Sequence, residues 1–64
     1  MNARDVIRRL VAAGWREIAQ KGSHKQFKHA TLPGKVTIPD HGSRDLTPGV
    51  LASIERQSGV SMRG

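Results

Sequence analysis

The tightest constraint on this chain sits at Gly22-Ser23, inside the stretch Lys21-Gly22-Ser23-His24-Lys25-Gln26-Phe27-Lys28-His29. Gly22 enters positive φ without steric cost, so the dipeptide fits the two central positions of a type II′ hairpin turn. A two-residue turn dictates register: Lys21 faces His24, Ile18 faces Phe27, and Glu17 faces Lys28. Ile18 and Phe27 then share a face offered for burial, while Lys21, His24, Gln26 and Lys28 line the opposite, wet face. A histidine is thereby displayed on a ribbon among cations.

The flanking segments supply a scaffold. Asn2 is a good N-cap, Asp5 suits the positive end of a helix dipole, and Val6, Ile7, Leu10 and Val11 recur at helical spacing, predicting a helix over residues 3–13. Gly14 ends it in the left-handed region, and Trp15 to Gln20 forms a first strand. The only Trp is expected to plug the junction between helix and strand. A second strand runs from His24 to Ala30 or Thr31. Pro33-Gly34 then suits a type II turn into Lys35-Val36-Thr37-Ile38, where Leu32 opposes Lys35, Thr31 opposes Val36 and His29 opposes Ile38. Pro39 closes the third strand, and residues 40–45 read as a polar loop. Thr47 caps a second helix with Pro48 at its first position and Leu46 poised to staple onto Leu51. Val50, Leu51 and Ile54 form its buried stripe, Gly59 stops it, Val60 folds back, and residues 61–64 are expected to fray.

The predicted fold class is therefore α+β, in the order α-β-β-β-α. One domain spans residues 1–64, and a three-stranded antiparallel sheet carries both helices on one face. At 64 residues the core is thin, because a domain of this size buries only about 60% of its unfolded surface. The absence of Cys removes disulfides and cysteine-based zinc sites as supports and points to a reducing cytoplasm. Charges at Arg4, Asp5, Arg8 and Arg9 interrupt the N-terminus, and the uncharged run from Leu10 to Trp15 is too short to span a bilayer, so no membrane segment is expected. Eleven Lys and Arg against five Asp and Glu give a formal charge of +6, which favours phosphate backbones or an acidic protein as partners.

Four segments narrow the class. Gly14-Trp15, Lys21-Gly22-Ser23-His24, Val36-Thr37-Ile38-Pro39-Asp40-His41 and Leu46-Thr47-Pro48-Gly49-Val50-Leu51 resemble, in order and spacing, the HicA family of bacterial toxins, over about residues 3–60. The order of elements likewise resembles the double-stranded RNA-binding domain fold. The resemblance implies a cytoplasmic ribonuclease toxin of a type II toxin–antitoxin pair that cleaves mRNA without a cofactor. It also implies a HicB antitoxin as protein partner, and DNA contact only indirectly, through the antitoxin complex. The family's hairpin histidine matches His24, and its strand-three histidine matches His41.

The chemistry stands beside the resemblance. RNA cleavage proceeds without a metal when a side chain of near-neutral pKa moves a proton at the ribose 2′-hydroxyl or the leaving 5′-oxygen while cations stabilise phosphate charge. His24 is the candidate catalytic residue, and Lys21, Gly22, Ser23, Gln26 and Lys28 are the candidate RNA-binding residues, with a 2′,3′-cyclic phosphate as product. The competing reading of His24 is a solvated strand residue. His29 falls on the helix side, where a packed, satisfied histidine is expected, and His41 is read first as support for its loop and second as a proton carrier. His24 and His29 point to opposite faces, so the three histidines do not converge on a metal. Arg4, Arg8 and Arg9 serve as solubilising charge on the first helix, and Lys25 and Lys35 as solvated strand ends.

Two other functions compete. A non-catalytic RNA-binding module fits the fold and the charge, but Pro48-Gly49-Val50-Leu51 lacks the lysines with which duplex-binding domains of this order open their second helix. A protein-binding adaptor fits the basic face alone. With Phe27 and Trp15 both assigned to packing, no aromatic platform remains for bases, and weak sequence preference follows.

Overall fold

The computed structural model describes residues 1–62. Its elements are α1 (Ala3–Ala12), β1 (Trp15–Lys21), β2 (His24–His29), β3 (Lys35–Pro39) and α2 (Pro48–Ser58), the α-β-β-β-α order of an α+β fold. The strands form one antiparallel sheet in the order β1-β2-β3.

Local chemistry defines the helix ends. At α1, the Asn2 side chain accepts the Asp5 backbone N–H at 3.0 Å while Asp5 Oδ2 accepts the Asn2 N–H at 3.4 Å, a reciprocal capping box. The helix stops at Ala12, one residue before the predicted end, with Ala13 as C-cap and Gly14 at φ +97°. At α2, Thr47 Oγ1 accepts the Val50 N–H at 3.3 Å, Pro48 occupies the first turn, and Gly59 closes the helix at φ +74°.

Both helices pack on one face of the sheet. Ala3, Val6 and Leu10 of α1 and Ile54 of α2 are buried with Trp15, Phe27, Val36 and Ile38, and Leu46 joins them ahead of the α2 cap. Four residues assigned to the helix stripes sit differently: Val11 is 56% exposed, while Ile7, Val50 and Leu51 pack half-buried against the core margin. The chain does not fray at Ser61 and Met62. Met62 is buried, and its N–H donates to Glu55 Oε1 at 2.7 Å. The rest of the predicted frayed end, residues 63–64, lies outside the described residues.

Two strand registers depart from those predicted. In β1 a bulge between Glu17 and Ala19 makes Ile18 the extra residue, so Glu17 opposes Phe27 and Arg16 opposes Lys28. Ile18 leaves the core face and is 45% exposed, and the predicted Glu17–Lys28 and Ile18–Phe27 pairs do not form. Between β2 and β3, Phe27 opposes Val36 and Lys25 opposes Ile38, where Thr31 and His29 were expected. The cause is His29: its Nδ1 accepts the backbone N–H groups of Thr31 at 3.1 Å and Leu32 at 3.2 Å. Those groups are removed from any ladder, and β2 ends there. The slip is even, so Val36 and Ile38 still share the Phe27 face.

Candidate active site on the open sheet face

The hairpin turn behaves as its residues dictate. Gly22 adopts φ +58°, no described residue other than glycine has positive φ, and Lys21 pairs with His24, the pattern a type II′ loop requires. Two bonds fasten it. Gln20 Nε2 donates to the Gly22 carbonyl at 3.1 Å, and the Asp40 N–H donates to the Ser23 carbonyl at 2.6 Å, tying the turn to the end of β3.

Asp40, a loop residue by its sequence surroundings, is a fastening point in the fold. Its Oδ2 lies 3.1 Å from Lys25 Nζ, and its Oδ1 accepts the Gly42 N–H at 3.1 Å. The hydrogen bond from Lys25 and then that from Gly42 hold this carboxyl below its ordinary value, against an opposing effect of burial. Lys25 is thus not a free strand end but a half-buried cation on the Phe27 side of the sheet. Beside it lies a cleft of about 240 Å³ lined by Arg4, Ile7, Lys25, Asp40 and Gly42. The sequence signal for this clasp is Asp40-His41-Gly42, where an Asx side chain takes the backbone N–H two residues on.

On the opposite face, alternation along β2 brings out His24, Gln26 and Lys28, the positions out of phase with buried Phe27. His24 and Lys28 are exposed, Gln26 half-buried. His24 lies between Lys21 on β1 and Pro39 on β3, Gln26 between Ala19 and Thr37, and Lys28 between Arg16 and Lys35. Lys21, Gly22, Ser23, Gln26 and Lys28 therefore flank His24 along one turn and one face, with Ser23 half-buried at the corner. Arg16 and Lys35 belong to the same face. Alternation with Val36 already puts Lys35 there, whereas Arg16 reaches this face through the bulge, and the early end of β2 sets Lys35 directly opposite Lys28.

The other histidines separate cleanly. His29 is embedded: besides the two backbone donors, Thr31 Oγ1 lies 3.2 Å from Nδ1 and the Ala13 carbonyl 2.9 Å from Nε2. Trp15 meets the ring edge to face, with centroids 5.3 Å apart at 66°. Backbone donors into Nδ1 require its lone pair, so Nε2 carries the proton and donates to Ala13. His29 is structural, and Trp15 plugs the helix–strand junction as expected. His41 is exposed, and Asp40, not His41, fastens its loop. Among the described residues no group of three or more His, Cys, Asp and Glu is placed to hold a metal, and no helix is long and apolar enough to cross a membrane.

These features define a small basic α+β domain with both helices on one side of the sheet and a histidine-bearing hairpin on the other. The family model for the HicA toxin of bacterial toxin-antitoxin matches residues 3–60. The chain belongs to that family: it is a toxin of a toxin–antitoxin system, which implies an antitoxin partner. A search of curated proteins returns no match.

Proposed function

We propose that this toxin is a metal-independent endoribonuclease that cleaves mRNA, with His24 as the acid–base residue. One observation carries the reading: an exposed imidazole at the foot of a fastened two-residue turn, opposite Lys21 and on the same face as Gln26 and Lys28. In the reaction O2′ attacks the phosphorus, the bond to O5′ breaks, and a 2′,3′-cyclic phosphate and a 5′-hydroxyl form. One proton leaves O2′ and one reaches O5′. The imidazole serves one of these transfers and water the other. Lys21 and the Gly22-Ser23 turn bind the oxygens of the scissile phosphate and stabilise the charge that grows on them, while Gln26 and Lys28 hold the RNA further along the same face.

The substrate places the activity in the cytoplasm, and the single domain of residues 1–64 carries it without a cofactor. A HicB-type antitoxin neutralises it by covering the basic face with acidic or apolar groups, and DNA is reached only through that complex. The test is incubation of wild-type and His24→Ala protein with a defined RNA in chelator, with end-group analysis of the products. Cyclic-phosphate ends from the wild type and none from the variant are expected. Cleavage retained by His24→Ala removes that residue from the mechanism, strict dependence on added divalent ions overturns the metal-free reaction, and RNA binding without cleavage assigns a non-catalytic module.

A further inference from the structure

The bulge at Ile18 and the early end of β2 have a joint effect at the far end of the open face. Arg16 on β1, Lys28 on β2 and Lys35 on β3 stand directly opposite one another, one cation per strand. All three are exposed, and none pairs with a carboxylate among the described residues. Directly opposed like charges destabilise a sheet, so such a row does nothing for the fold. The contrast with Lys25 is informative: the β2 cation on the helix side is neutralised by Asp40, whereas the outward ones are left uncompensated.

We infer that Arg16, Lys28 and Lys35 form a phosphate-binding subsite for single-stranded RNA, separate from the scissile position at His24. The inference rests on the ribonuclease reading and extends it. Lys28 lies four residues from His24 along β2, about 13 Å at the rise of a strand. That is further than one phosphodiester link reaches, so the row binds a flanking phosphate and not the one being cut. Strands about 4.8 Å apart make the row roughly 10 Å wide, a cationic bar lying across a strand of RNA that runs along β2. Phosphate is the chemistry such a row recognises. Trp15 and Phe27 are both buried, which leaves the open face no Trp, Tyr or Phe ring for base stacking.

The test is fluorescence anisotropy with a labelled 2′-O-methyl oligonucleotide, which binds but cannot be cleaved, titrated at several salt concentrations. Wild type is compared with Arg16→Gln/Lys35→Gln and with Arg44→Gln/Arg56→Gln, which removes the same charge from exposed positions elsewhere. The slope of log affinity against log salt is expected to become shallower by about 0.7 for each phosphate the row no longer neutralises. It is expected to stay at the wild-type value in the second pair, and to recover when position 16 is changed only from Arg16 to Lys and Lys35 is kept. Circular dichroism identifies a folded variant, and relief of repulsion predicts a melting temperature no lower than wild type. An unchanged slope in the row variant, or an equal drop in both pairs, overturns the subsite. If affinity for an acidic protein falls while the RNA slope holds, the row is a protein-docking element instead. Failure of His24→Ala to abolish cleavage leaves this binding result standing, so the two readings fail separately.

Discussion

Gly14 lies against the His29 imidazole so closely that a Cβ at position 14 would stand 2.7 Å from Nε2. The closeness follows from the 2.9 Å bond between that nitrogen and the Ala13 carbonyl, and Gly14 itself sits at φ +97°. Gly14→Ala meets both problems at once. The left-handed backbone costs about 1–2 kcal/mol, and the ring must also move or lose its bond. A melting temperature lowered by about 4–8 °C for each kcal/mol is expected in a chain of this size, read by thermal denaturation.

His29 and His24 share a strand but not a role. His29→Ala removes the acceptor for Thr31 and Leu32 and the bond to Ala13. It is expected to cost about 2–4 kcal/mol, since each such bond contributes roughly 1 kcal/mol net and the Trp15 edge contact adds to it. His24→Ala touches no packed group and is expected to change stability by less than about 0.5 kcal/mol. Urea midpoints of the two variants check the contrast, and equal losses would contradict it.

Ile18 and Phe27 form a second contrast. Phe27 is 1% exposed and Ile18 45%, so Phe27→Ala is expected to cost about 3–5 kcal/mol and Ile18→Ala less than about 1 kcal/mol, the surface-like value its bulge position implies. The measurement is again chemical denaturation. A core-sized loss at Ile18 would show that the bulge does not form.

The Lys25–Asp40 pair carries an acid signature. The Lys25 hydrogen bond, followed by that of Gly42, holds the folded Asp40 carboxyl below its ordinary value of 3.8. Its contribution is therefore fully present above that unfolded value and is lost as pH falls through the lower folded one. Both partners are partly exposed, about a quarter each, so the contribution is small and screened by salt. Thermal melts from pH 5 downward are expected to fall less steeply for Asp40→Asn than for wild type. An identical acid limb in the two proteins would remove the pair as its source.

Sequence alone determined whatever a few adjacent residues can decide between them. Asn2 with Asp5, Thr47 with Pro48, Gly22-Ser23 and Gly59 each settle a cap or a turn through bonds spanning at most four residues. Because strand faces alternate, these local choices were enough to separate Phe27, Val36 and Ile38 from His24 and Lys28. Only the tertiary structure decided register beyond the pairs next to the hairpin turn. Ile18 steps out of the ladder as a bulge on an edge strand. His29 draws two N–H groups of the following loop onto its ring, and the clasp of Asp40 with Lys25 and Ser23 joins residues from separate elements. Each is a choice between hydrogen-bond partners far apart in the chain or on a ring whose surroundings the fold creates, and no periodicity in the residues encodes its outcome. The cation row of Arg16, Lys28 and Lys35 exists for that reason alone.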